Sequence, residues 1–152
     1  MSNRTDTFMD MALEEAEGAA GRGEVPVGAV VVGPDRTVLA RAGNRTIERA
    51  DPTAHAEILA IRDACAIMGR ERLEDCDLYV TLEPCAMCAT AVSFARIRRL
   101  YFGAGDEKMG GVEHGPRIFA QPTCNHAPDV YSGISERRAA ELLKAFFRQR
   151  RG

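Results

Sequence analysis

The stretch Leu78-Tyr79-Val80-Thr81-Leu82-Glu83-Pro84-Cys85-Ala86-Met87-Cys88 decides the fold. Its first half is apolar, the composition of a short buried strand ending near Leu82. Pro84 then suits the opening of a helix, because it lacks the N–H that a helix start leaves unpaired. That helix is expected to run to about Phe94. A strand passing directly into a helix is a building unit of a layered α/β domain.

The same alternation extends in both directions. Upstream, Asp51-Pro52 reads as the N-cap and first residue of another helix, running to about Met68 and stopping at Gly69. Before it, Val25 to Val32 reads as a buried strand, Gly33-Pro34-Asp35-Arg36 as a turn and Thr37 to Arg41 as a second strand, together a hairpin. Phe8, Met11, Ala12, Ala16, Ala19 and Ala20 recur at helical spacing, an amphipathic first helix ended by Gly21 and Gly23. Downstream, Arg99 to Phe102 reads as a strand ending at Gly103. Residues 103–128 are rich in Gly and Pro, and too long for a structureless connection, so a short helix is expected inside them. Val130-Tyr131 predicts a short fifth strand. Ser135 reads as the cap of a last helix, with Glu136 in its first turn and Arg148, Arg150 and Arg151 at its end, where they suit the macrodipole. The expectation is a single α/β domain over residues 1–152.

A chain of 152 residues buries enough surface to fold without disulfides. Its five cysteines are odd in number and scattered, which is no disulfide framework. Met1-Ser2-Asn3-Arg4 leads into no apolar segment, and no run approaches 18 apolar residues. The expectation is therefore neither secretion nor membrane insertion, but a reducing, cytoplasmic location. The net charge of −2 conceals an asymmetry: residues 1–80 hold nine basic and fifteen acidic residues, residues 81–152 eleven and seven. The basic second half is compatible with an RNA or phosphate partner. Arg supplies 18 of the 20 basic residues, which genomic base composition alone can produce.

The sharpest chemical signal is His55-Ala56-Glu57, followed thirty residues on by Pro84-Cys85-Ala86-Met87-Cys88. Zinc prefers imidazole nitrogen and thiolate sulfur, and a catalytic site takes three protein ligands and leaves a fourth position for water. His55, Cys85 and Cys88 make three. A lone C-x-x-C also fits a redox pair or half of a structural site, but no second C-x-x-C completes a four-cysteine set. Cys85 and Cys88 stand three apart on an expected first helical turn, so their sulfurs share a face. His55 and Glu57 stand about 200° apart round a regular helix, so they converge only over its N-terminal end. Glu57 then lies beside the metal-activated water as a proton shuttle. That is the logic of hydrolytic deamination: water attacks an amidine-like carbon, a ring nitrogen is protonated and ammonia leaves.

H-x-E with P-C-x-x-C resembles the signature of the zinc-dependent cytidine-deaminase-like superfamily. Within it, the chain is similar to the bacterial tRNA adenosine deaminases over nearly its whole length. The likeness lies in Glu24-Val25-Pro26-Val27-Gly28-Ala29-Val30, Gly43-Asn44-Arg45, 51–58, 78–88, Arg96-Ile97, Tyr101-Phe102-Gly103-Ala104 and Phe146-Phe147-Arg148-Gln149-Arg150-Arg151. The resemblance implies a three-layer α/β/α fold with a mixed five-stranded sheet, a homodimer and one zinc per subunit. It implies conversion of adenosine to inosine at the wobble position of a tRNA anticodon, most often of an arginine tRNA. Carried over, His55, Cys85 and Cys88 bind zinc, Glu57 shuttles the proton and Asn44 contacts the purine. Asp106 and Lys108 lie along the anticodon stem-loop, and Asn125, His126, Phe147 and Arg148 also meet tRNA. The resemblance suggests a bulky or basic residue at position 105, where this chain has Gly105, and a different segment 112–124. These departures keep open a deaminase of a free nucleobase or nucleoside, such as guanine or cytosine. A non-catalytic zinc module is the third possibility, against which Glu57 argues.

Several residues carry two readings. Glu83 reads as a structural hydrogen-bonding group or, less well, as a catalytic carboxylate. His126 divides between RNA contact and loop packing. His114 reads as an exposed loop histidine rather than a ligand. Cys65 reads as core, and Cys76 and Cys124 as ordinary thiols. At least one of Phe146 and Phe147 is expected to pack inward, and the arginines after them read as RNA contacts or a solvated end.

Overall fold

The computed structural model describes residues 4–151, with the side chains of 4–6 and of residue 151 outside the description. The Met1-Ser2-Asn3 start, and the side chains of Arg4 and Arg151 invoked above, therefore lie outside the described residues.

Among the described residues, nine main elements follow in order: α1 (Arg4–Gly21), β1 (Gly28–Val32), β2 (Val38–Gly43), α2 (Ala56–Met68), β3 (Asp77–Leu82), α3 (Ala86–Ala95), β4 (Arg99–Ala104), β5 (Asp129–Tyr131) and α4 (Glu136–Arg151). A short 3-10 turn at Ile118–Ala120 is the helical piece expected inside the loop after β4. The strands form one mixed sheet in the order β2-β1-β3-β4-β5. β1 runs antiparallel to both β2 and β3, whereas β3, β4 and β5 are parallel.

Side chains alternate across the pleat and fill two separate apolar layers. Ala29, Val31, Leu78, Val80, Leu100 and Phe102 face α2 and α3, with Leu59, Ala60, Ala89 and Val92. Val30, Val32 and Tyr79 face the other way, onto Phe8, Met9, Leu13 of α1 and Ala139 of α4. The three-layer arrangement and the mixed five-stranded sheet match the expectation. α1 seats directly on β1, because a Cβ at Gly28 would lie 1.9 Å from the Ala12 carbonyl oxygen. No helix among the described residues is long and apolar enough to cross a membrane.

Five elements differ in their bounds from the sequence reading. β1 begins at Gly28 rather than Val25, because Val27 N–H donates to the Val25 carbonyl across Pro26, a tight turn that breaks the extended run. β2 is displaced to Val38–Gly43, and β4 continues to Ala104. α2 does not start at Asp51-Pro52. Asp51 Oδ1 instead accepts from Thr53 N and Oγ1 at 2.8 and 2.7 Å, an Asx turn that competes with helix. α3 likewise starts after Pro84, at Ala86, because Cys85 is extended (φ −71°, ψ 175°).

Candidate functional site

The two late helix starts put the chemistry at one point. His55 is the N-cap of α2 and Cys85 the N-cap of α3, and neither side chain makes a capping bond. Both are thereby released toward each other. The first N–H of α2 is capped from elsewhere: Ala56 N donates to Asn44 Oδ1 at 2.8 Å. Cys88, one turn into α3, completes the group. Ligand atoms of His55, Cys85 and Cys88 all lie within 4.8 Å of one another. Both sulfurs face the same imidazole nitrogen, Cys88 Sγ at 3.4 Å and Cys85 Sγ at 3.7 Å from His55 Nδ1. In a tetrahedral site with Zn–S of about 2.3 Å and Zn–N of about 2.0–2.1 Å, that edge is about 3.5 Å. The donor set and its spacing fit one zinc ion.

Electrostatics support the same conclusion. The Cys85 thiol, accepting from Cys88 and His55, is held down at about 4. The Cys88 thiol is pushed up by its bond to Cys85 and by burial. The pair shares a proton that a dication displaces. The positive ends of α2 and α3 both favour thiolate here. Glu57, in the first turn of α2, is buried beside Cys88, and burial pushes its carboxyl up to about 7. A carboxyl poised there is suited to moving protons in both directions.

His55, Glu57 and Cys85 line a cleft of about 230 Å³, with Val27, Asn44 and Thr46 from the segment around β2 and Asp106 and Met109 from the loop after β4. Two buried carboxylates hold these two segments. Glu24 accepts from Thr46 Oγ1 and from the N–H groups of Ile47 and Glu48. Glu83 accepts from the N–H groups of Asp106, Val112, Glu113 and His114 at 2.9–3.1 Å, and its Oε1 lies 2.6 Å from His114 Nδ1. Burial alone would raise the Glu83 pKa, but these donors win and lower it. Glu83 is thus a structural group, as favoured from sequence. The loop approaches closely because Gly110 and Gly111 carry no Cβ, which would fall 2.5 Å from Glu83 Oε2 and 2.6 Å from Ala86 N respectively.

Val25, Leu82, Asp106 and Met109 are shared with an adjoining, larger groove of about 660 Å³, lined further by Gly105, Glu107, Lys108, Leu143 and Phe147. So the structure brings Asn44, Asp106, Lys108 and Phe147 into or beside the cleft with the ligands and Glu57. Arg148 flanks Phe147 on α4. Phe146 is the buried member of the aromatic pair and Phe147 is half-exposed. Arg150 stacks on Phe146 and donates to the Gly23 carbonyl, so it is not a free tail residue. Asn125 and His126 lie elsewhere: the His126 ring bonds the Ile97 carbonyl at 2.7 Å, beyond the far end of α3, and Arg96 donates to the Asn125 carbonyl. Cys65 is half-buried at the edge of the core, and Cys124 bonds Ser93 and the His126 carbonyl. Sequence reasoning missed Glu24, Thr46 and Met109 as cleft-forming residues, and read His114 as a bystander.

Residues 2–104 match the model of the cytidine and deoxycytidylate deaminase zinc-binding region. The tRNA-specific adenosine deaminase of Agrobacterium fabrum is 62% identical over 151 residues, covering 99% of this chain and 98% of that protein. A solved structure described with A-to-I editing by tRNA deaminases at the wobble position of transfer RNA is 64% identical. It superposes with a TM-score of 0.88 and covers 90% of this chain and 99% of that one. The guanine deaminase from Nitrosomonas europaea, 23% identical, shares the fold with a TM-score of 0.79, covering 93% of this chain and 83% of that one.

Proposed function

The chain belongs to the cytidine and deoxycytidylate deaminase zinc-binding family, and we propose that it deaminates adenosine to inosine at the wobble position of a tRNA anticodon. The observation that carries this reading is the catalytic cleft adjoining a groove along Asp106, Lys108 and Phe147, on a chain matching a tRNA-specific deaminase end to end. A free base needs only the cleft; a splayed nucleotide still attached to its neighbours needs the groove as well.

The chain's own groups divide the work. His55, Cys85 and Cys88 would hold the metal, and a bound zinc would supply Lewis acidity to activate a water. With its Oδ1 committed to Ala56 N, Asn44 offers its NH2 end to the purine. Glu57 takes a proton from the attacking water and gives it to the ring nitrogen, then carries the second proton, from the new hydroxyl, to the amino group that leaves as ammonia, so water enters, ammonia leaves and Glu57 ends as it began. Asp106, Lys108, Phe147 and Arg148 run along the RNA. One Asp106 oxygen also accepts from Lys108 N and Met109 N, which fixes the groove wall. Incubation of zinc-loaded protein with an arginine tRNA should produce inosine at the first anticodon base, read as a mass increase in a defined stem-loop. Deamination of free guanine or cytosine with no inosine in RNA would overturn the assignment.

A homodimer in a reducing cytoplasm completes the proposal. None of the five cysteines is paired in a disulfide. Ile58, Met87, Ala91 and Phe94 form an apolar strip between α2 and α3, and Phe94 is 70% exposed. A strip of this kind suits burial against a second copy. Phe94→Asp should shift the sedimenting species from dimer to monomer; a wild-type protein that already sediments as a monomer removes the dimer.

A further inference from the structure

Position 105 lies on the groove wall but has no side chain of its own, and the ring of His114 stands over it. A Cβ at Gly105 would lie 3.3 Å from His114 Cε1. His114 is anchored twice to the same buried carboxylate, its backbone N–H donating to Glu83 Oε2 at 3.1 Å and its ring Nδ1 lying 2.6 Å from Oε1. Gly115, at φ +57°, turns the chain immediately afterwards, and a Cβ there would fall 2.4 Å from the Gly110 carbonyl oxygen, so the loop has no room to slide. With Nδ1 engaged, Nε2 has no partner among the described residues, and the side chain is 36% exposed. An oriented imidazole edge thus stands over Gly105, the glycine of the groove wall that precedes Asp106.

We propose that His114 is a substrate-contacting residue whose Nε2 engages the ribose–phosphate backbone of RNA lying in the groove, at the place Gly105 leaves without a side chain. This rests on the RNA-substrate reading. As an imidazolium, His114 donates its Nε2–H to a phosphate oxygen; as a neutral ring with its proton on Nδ1, it accepts at Nε2 from a 2′-hydroxyl, and every nucleotide of that backbone presents both groups whatever its base. Preorganisation by Glu83 lets the contact form without ordering a mobile side chain.

The competing role is a staple that merely ties the loop to Glu83, and one pair of variants separates the two. His114→Asn keeps an N–H donor near the Nδ1 position for Glu83 but removes Nε2, whereas His114→Ala removes both. On an arginine-tRNA stem-loop, both variants should raise KM by roughly tenfold, the scale of one hydrogen bond to a charged group, with kcat within about twofold of wild type. If the partner is a phosphate, the salt dependence of binding should weaken by about 0.7–0.9 in the log–log slope. If it is a hydroxyl, the slope should stay and a single 2′-deoxy substitution in the loop should reproduce the KM penalty in wild type and add nothing to His114→Asn. A His114→Asn enzyme with wild-type KM and slope, beside a weakened His114→Ala enzyme, makes His114 a staple and overturns the inference. So does wild-type KM in both. Either result leaves inosine formation standing, whereas absence of inosine from the wild-type protein removes the RNA reading itself.

Discussion

Glu57→Gln should lower the rate of inosine formation by at least about a thousandfold, within the range that a positioned acid/base group contributes, while zinc content and fold persist. Gln matches Glu in shape, and Glu57 is buried in the first turn of α2, so packing around it is unchanged. The amide has no basic oxygen to take a proton from water and no acid to return. Stability should not fall, because burial already disfavours the Glu57 charge and a neutral amide avoids that desolvation penalty. None of the three metal ligands changes. Zinc stoichiometry by elemental analysis, the melting temperature and single-turnover inosine formation check the three parts. Turnover within tenfold of wild type, at full zinc occupancy, would show that the proton shuttle lies elsewhere.

The chemistry was legible in the sequence because it is local in sequence. His55 with Glu57, and Cys85 with Cys88, are each separated by less than one helical turn, and each pair follows a helix-start signal. The strands were legible for the same reason: Leu78 to Leu82 and Arg99 to Phe102 are short local runs, of which Leu78, Val80, Leu100 and Phe102 enter one core layer. What escaped was decided at long range. Asp51-Pro52 reads as a helix start, yet the cap on α2 comes from Asn44, twelve residues earlier, and Asp51 instead closes a turn on Thr53. The consequence is chemical, since it makes His55 the N-cap with its side chain free for the metal. The wall of the cleft was likewise hidden. Glu83 collects donors 23 to 31 residues away, from a loop that the Gly110-Gly111 pair lets pass close by. His114 carried no pattern at all, because its significance depends on a neighbour, Gly105, that presents no side chain. The charge asymmetry was informative only in part: Lys108 and Arg148 lie by the groove, but Arg98 pairs with Asp77 and Arg138 with Asp10.

Loss of one zinc ligand should be as damaging as loss of Glu57, but with a different signature. Cys88→Ala should bring zinc below one-tenth of an equivalent and abolish inosine formation, because His55 and Cys85 alone leave a two-ligand site. The chain should remain folded. Its two apolar layers, built on Val31, Leu78 and Phe102 on one face and Leu13, Val30 and Tyr79 on the other, are complete without the cluster. This separates it from small zinc domains whose folding is metal-driven. The melting temperature should nevertheless fall, since a ligand present at a thousandfold over its Kd stabilises the folded state by about 4 kcal/mol. Chelation of the wild-type protein should reproduce both losses and be reversed by added zinc, whereas the variant should not recover. Cys65→Ser and Cys124→Ser supply the control, because those thiols bond Glu71 and Ser93 rather than the cluster and should retain a full equivalent of zinc. A Cys88→Ala protein that kept its zinc and its activity would place the metal somewhere other than between α2 and α3. Every role assigned here to Glu57 would then lose its partner.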